Sequence, residues 1–170
     1  MRIINVIVKV LTFPAAFLKG FWEQRICRMM GIPVESKKIF QSGEMAGHIE
    51  HELFRSPSKS FRFCFFSGLM VFLAGVIMAF PGLICVYLGS AGFMKWFALA
   101  CLGNAAMMFT NIFPSIGDAI EMWENYKKMG TAAKIFLAPA AAIMYVGAYA
   151  ETWGITLLTN YGLAVLLFLI

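Results

Sequence analysis

The chain has 170 residues, 61% of them hydrophobic and 14% charged, with a formal net charge of +5 and a mean hydropathy of +0.77. A soluble domain of this size could not hide so much apolar surface, which leaves a polytopic membrane protein. Backbone groups inside a bilayer must be bonded within helices or a closed barrel. No alternating strand pattern runs through the chain, so the expected class is all-α with about four membrane helices, a single integral membrane domain over 1–170.

The first apolar segment covers 3–22. Arg2 precedes it and Lys9 interrupts it, and no small-x-small cleavage site follows, so it reads as a retained helix rather than a signal peptide. A polar, basic loop takes up 23–62. Within it Gly31 and Pro33 stop the helix, and "VESKKIF" and "GHIEHEL" read as two short strands around a "QSG" turn. The expectation is a small cytoplasmic β-hairpin at 34–53 that must pack on something to persist. Two membrane helices follow, at 63–89 with a kink at Pro81 and at 93–113, joined by the uncharged "SAG" loop.

Pro114 ends the second of these and opens an amphipathic cytoplasmic segment, 114–131. The remaining 39 residues, 132–170, would make one helix of about 58 Å, roughly twice a bilayer core. A break is expected near 151–154 or 160–162, leaving open whether this part crosses once or twice.

Lys37, Lys38, Arg55, Lys59 and Arg62 crowd the first polar loop and Lys127, Lys128 and Lys134 the last, which places both in the cytoplasm. The net charge is therefore topological, and with no aromatic-interleaved basic patch a nucleic-acid partner is not expected. The expected surroundings are membrane lipids and another membrane protein. Cys27, Cys64, Cys85 and Cys101 lie in or beside apolar segments without a CxxC pair, and most of them read as small lipid-facing residues.

Both histidines fall in "GHIEHE". On a strand, His48, Glu50 and Glu52 share one face and His51 takes the other. A His-Glu-Glu face is a candidate metal set, although a solvated strand whose acids offset Arg55 and Lys59 explains it as well. "HELFR" starts like a zincin motif but sets Arg55 where a second ligand belongs, and a cation cannot ligate. Asn104, Thr110 and Asn111 are a candidate intramembrane polar face. After Pro114, Ser115 suits a helix N-cap, with Asp118 and Glu121 favoured by the dipole.

Three stretches, "FPAAFLKGFWEQRICRMMGIPV", "GHIEHE" and "MFTNIFPSIGDA", resemble small members of the intramembrane zinc metalloprotease family, the site-two-protease-like group. Cys27, Arg28 and Gly31 fall in step with a family segment that follows its His-Glu-x-x-His. The resemblance implies that Lys19, Gly20 and Glu23 stand at the metal-helix positions and that Asp118 corresponds to the aspartate completing the site. Lys19 brings a cation where a lone pair is needed, Gly20 removes the general base, and Asn111 replaces a further family histidine.

The implied protein is catalytically inactive, a scaffold or partner-binding regulator without cofactor. An extended edge at 34–53 would be its docking strand. One alternative is a divergent active membrane zinc metalloprotease using Glu23, His48, His51 or Asp118, which requires those groups within about 5 Å of one centre. The other is a small transport or lipid-handling protein lined by Asn104, Thr110 and Asn111.

Overall fold

The computed structural model describes residues 2–35, 48–54, 56–89 and 91–169. Their regular structure is helical throughout: α1 (Arg2–Leu11), α2 (Phe13–Met30), α3 (Pro57–Tyr87), α4 (Phe93–Thr110), α5 (Ile116–Lys127), α6 (Thr131–Thr152) and α7 (Ile155–Leu169). Three of them, α3, α4 and α6, are long and apolar enough to cross a membrane. A fourth span is reached if α1 and α2 are taken as one, although they meet at a bend of 92°.

The expected single helix at 3–22 is therefore two. Pro14, at the start of α2, has no N–H to continue the ladder and so favours a fresh start there. α1 turns its apolar side outward, with Ile3, Ile7, Val10 and Leu11 exposed, and its Val8, Lys9 and Thr12 inward. That inversion suits a helix bathed in lipid, where the polar side must find protein.

α2 ends in a Schellman-type cap. Gly31, at φ 64°, donates to the Arg28 carbonyl, and Ile32 N–H reaches the Cys27 carbonyl at 2.9 Å. The chain then runs extended through Pro33–Glu35, and Val34 pairs antiparallel with His51 as an isolated bridge. Glu35 N–H donates to Glu50 O at 2.9 Å and Glu52 N–H to Pro33 O at 3.2 Å. No strand forms among the described residues, so the expected hairpin reduces to this one bridge, and its turn, within 36–47, lies outside them.

α3 and α4 form the most extensive helix pair, built antiparallel on three glycines seven residues apart. A Cβ at Gly68 would collide with the Ile112 carbonyl, one at Gly75 would meet the Phe109 ring at 2.7 Å, and one at Gly82 would meet Leu102 at 3.0 Å. Small residues let membrane helices approach closely, and dispersion then holds them. Pro81 lies inside α3 without ending it.

α6 stops at Thr152 and α7 starts at Ile155, with Gly154 at φ 75° between them. α7 has 15 residues, about 22 Å of helix, short of a bilayer core of about 30 Å. All four cysteines are buried, Cys27 and Cys64 within the protein core beside the site, rather than lipid-facing.

Candidate functional site

The buried positions of α2 form one stripe: Ala15, Ala16, Lys19, Gly20, Glu23, Ile26 and Cys27. Their spacing is helical, so the stripe carries both Lys19 and Glu23 inward. Glu23 is 0% exposed. Its Oε2 accepts the Ile49 N–H at 3.2 Å and lies 3.0 Å from His48 Nδ1, while its Oε1 has no hydrogen-bond partner.

The Val34–His51 bridge delivers the histidine segment over this face, and buried Ile49 fastens it there. His51 packs against the rings of Phe54 and Phe63, at centroid distances of 4.6 and 4.8 Å. Asp118 arrives from the other side, on the first turn of α5. Ser115 caps that helix, its Oγ accepting the Asp118 N–H at 3.2 Å and donating to Asp118 Oδ2 at 2.9 Å. Glu121, one turn on, accepts the Phe54 N–H at 2.5 Å and so ties α5 to the same segment.

The result is a buried cluster of two carboxylates and two imidazoles. His48 Nδ1 is 3.6 Å from Asp118 Oδ2, and His51 Nε2 is 3.2 Å from Asp118 Oδ1. One donor atom each from Glu23, His48 and Asp118 lie within 4.8 Å of one another. Donors bound tetrahedrally at about 2 Å to one ion lie about 3.3 Å apart, so the widest pair has to close by about 1.5 Å to hold one.

Nitrogen with carboxylate oxygen is a donor set that zinc accepts. Glu23 Oε1 is buried without a hydrogen-bond partner, while His51 Nε2 has Asp118 Oδ1 at 3.2 Å. Buried polar atoms are normally satisfied, and the bare Glu23 oxygen belongs to one of the three residues that offer donors. The residues fit a divalent ion.

The charges explain the protonation. Burial disfavours the His48 cation, but the Glu23 and Asp118 carboxylates outweigh it and the pKa rises. For His51 burial is again opposed, here by Asp118 and the Glu52 carbonyl, and its pKa is pushed up to about 9. Asp118 is lowered: burial works against its carboxylate, and His48, His51 and Ser115 more than offset that. His51 Nδ1 lies 2.9 Å from the Glu52 carbonyl, so that nitrogen carries its hydrogen and Nε2 is left to face Asp118.

Several expected site residues lie elsewhere. Residues 48–50 are not a strand, so strict alternation fails there, and His48 and His51 reach the same centre. Glu50 and Glu52, the other members of the expected His-Glu-Glu face, point to the surface. Lys19 donates to the Phe113 carbonyl and lies 3.8 Å from Glu151, and Gly20 is buried in the same stripe. The polar face does not assemble: Asn104 donates to Ala100 O and Thr110 to Ala106 O of their own helix, whereas Asn111 donates to Thr12 Oγ1.

A second buried cluster was hidden in the sequence. Lys9, which interrupts the first apolar segment, pairs with Glu151 at 2.6 Å and also donates to Asn111 Oδ1 at 3.0 Å. The signal was the outward apolar stripe Ile3–Ile7–Val10, which turns Lys9 toward protein.

Fold and site together define a helical protein with three to four candidate membrane spans and a buried carboxylate–imidazole centre at one end of the bundle. The chain matches no family model, and neither a curated protein nor a solved structure is significantly similar to it.

Proposed function

We propose that the chain is an integral membrane metalloprotein, a divergent relative of the intramembrane zinc metalloproteases, with a hydrolytic centre facing the cytoplasm. The observation that carries this reading is the convergence of donor atoms from Glu23, His48 and Asp118 within 4.8 Å, with a buried unpartnered oxygen at Glu23 Oε1. Glu23, His48 and Asp118 would hold the ion. A divalent ion bound there would supply Lewis-acid activation of water and of a peptide carbonyl.

The remaining chemistry belongs to the chain. Gly20 offers no base, and His51 takes that role: Nδ1–H is fixed on the Glu52 carbonyl, and Nε2 holds or accepts a proton at the centre. Phe54 and Phe63 shield His51 from water on its far side. The bridge between Val34 and His51 leaves extended backbone beside the centre, a surface on which a substrate segment can lie.

The test is metal content of the full chain purified in detergent, followed by incubation with model transmembrane peptides and mass spectrometry of the products. The reading expects about one zinc per chain, lost in Glu23→Gln and Asp118→Asn, and cleavage lost in His51→Asn with zinc retained. A chain without stoichiometric metal overturns it. That outcome favours the second reading, a catalytically inactive scaffold or regulator of another membrane protein, which rests on Lys19 and Gly20 standing where a ligand and a base are needed.

A further inference from the structure

Lys19 is 2% exposed, and its ammonium is aimed at neither surface nor ligand set. It sits one helical turn before Glu23 on the inward stripe of α2. Its Nζ donates to the carbonyl of Phe113, in the turn between α4 and α5. Two residues later Ser115 caps α5 and hydrogen-bonds the Asp118 carboxylate. Lys19 thus joins the helix that carries Glu23 to the turn that launches Asp118.

The carbonyl it holds belongs to a residue tightly fixed on its other side. The Phe113 ring packs on α6 at Gly147, where a Cβ would collide with it. Glu151, one turn further along α6, lies 3.8 Å from Lys19 Nζ and supplies the counter-charge. A buried cation with a carbonyl and a carboxylate around it is geometrically fixed, since releasing it means leaving a charge without a partner.

We infer that Lys19 is a positioning residue for the metal centre, a tether that sets the distance between Glu23 and Asp118, and not a defunct ligand. The inference rests on the metal-centre reading above. It assigns a use to the cation that makes the metal helix look emptied. It also accounts for a lysine at that depth, because α2 and α5 are not sequence neighbours and need a link of this length.

The experiment titrates the purified full chain with Zn²⁺ against a chromophoric chelator and records the visible spectrum with Co²⁺, for wild type, Lys19→Met and Lys19→Arg. Met keeps the apolar stem as far as the ε position without a donor, and Arg keeps the donor. Loss of a group that orients ligands typically weakens metal binding about 10- to 100-fold. Lys19→Met is expected in that range with a shifted Co²⁺ spectrum, while Lys19→Arg stays close to wild type in both. Should Lys19→Met not fold, Lys19→Gln, one bond too short to keep the carbonyl bond, carries the same expectation.

A folded donor-less variant with wild-type affinity and spectrum overturns the inference and leaves the metal centre standing. So does an Arg variant as weak as Met, which assigns the effect to packing. A wild-type chain that takes up neither ion overturns the metal-centre reading, and Lys19's role with it.

Discussion

His51 is held at both ring nitrogens, by the Glu52 carbonyl and by Asp118, and both contacts favour the imidazolium. Its pKa in the fold, about 9, exceeds the free value of 6.5. A raised pKa means that the protonated form stabilises the fold fully below about pH 6.5, and that this contribution disappears as pH climbs through about 9. His48 is shifted the same way. The metal-free chain is therefore expected to lose thermal stability between about pH 6.5 and 9, read as Tm in detergent, and His51→Asn flattens that slope. Zinc reverses it, because ligand imidazoles must shed their protons to bind and so binding strengthens with pH. A metal-free Tm that rises across this window contradicts the assignment of both histidines.

Gly68, Gly75 and Gly82 fix how closely α3 and α4 approach, and each meets a different kind of neighbour. At Gly68 an added Cβ meets the Ile112 carbonyl, backbone that cannot swing aside. Gly68→Ala is expected to cost about 1–3 kcal/mol through overpacking, and to weaken zinc binding too, since Ile112 adjoins the Phe113 turn that leads to Asp118. Gly103, on α4, has open space around its missing side chain. Gly103→Ala is expected to be neutral or to stabilise by up to about 1 kcal/mol, the ordinary helix preference for Ala. Denaturation in mixed micelles compares the two, and equal effects would show that the glycine stripe does not set the contact. The stripe was there in the letters, but spacing of seven alone does not say which helix it faces. Elements were legible where composition decides them: long apolar runs, Pro114 with Ser115, and Gly31 as a stop. The bend at Thr12 was not, because hydropathy is continuous across it, and Pro14 favours a fresh start without saying that the helices meet at 92°.

At the scale of the whole chain, the candidate site was half legible for a similar reason. His48 and His51 could be singled out from residue type, and Glu23 and Asp118 only through the family resemblance, but the convergence of all four depends on the α3–α4 hairpin returning the chain to the end it left. Strand alternation sent His48 and His51 to opposite faces, and the tertiary setting overrode it. The same long-range closure appears in Lys9 and Glu151, which join the first and sixth helices at 2.6 Å across 142 positions of sequence. Around that pair two ammonium groups, Lys9 and Lys19, share one carboxylate. The sum decides which partner matters more. Lys9→Met leaves Lys19 and Glu151 balanced, whereas Glu151→Gln leaves two buried cations with no counter-charge. Removing one partner of a buried pair costs about 3–5 kcal/mol when a charge is stranded, and that is the expectation for Glu151→Gln. Lys9→Met is expected to cost under about 2 kcal/mol, chiefly its bond to Asn111. The double variant should fall between, with a coupling of about 0.5–3 kcal/mol. Unfolding of the four proteins in one detergent system gives the cycle. If Lys9→Met proves the more damaging single change, Glu151 is not the counter-ion of both lysines, and the α1–α2 bend is held by something other than this cluster.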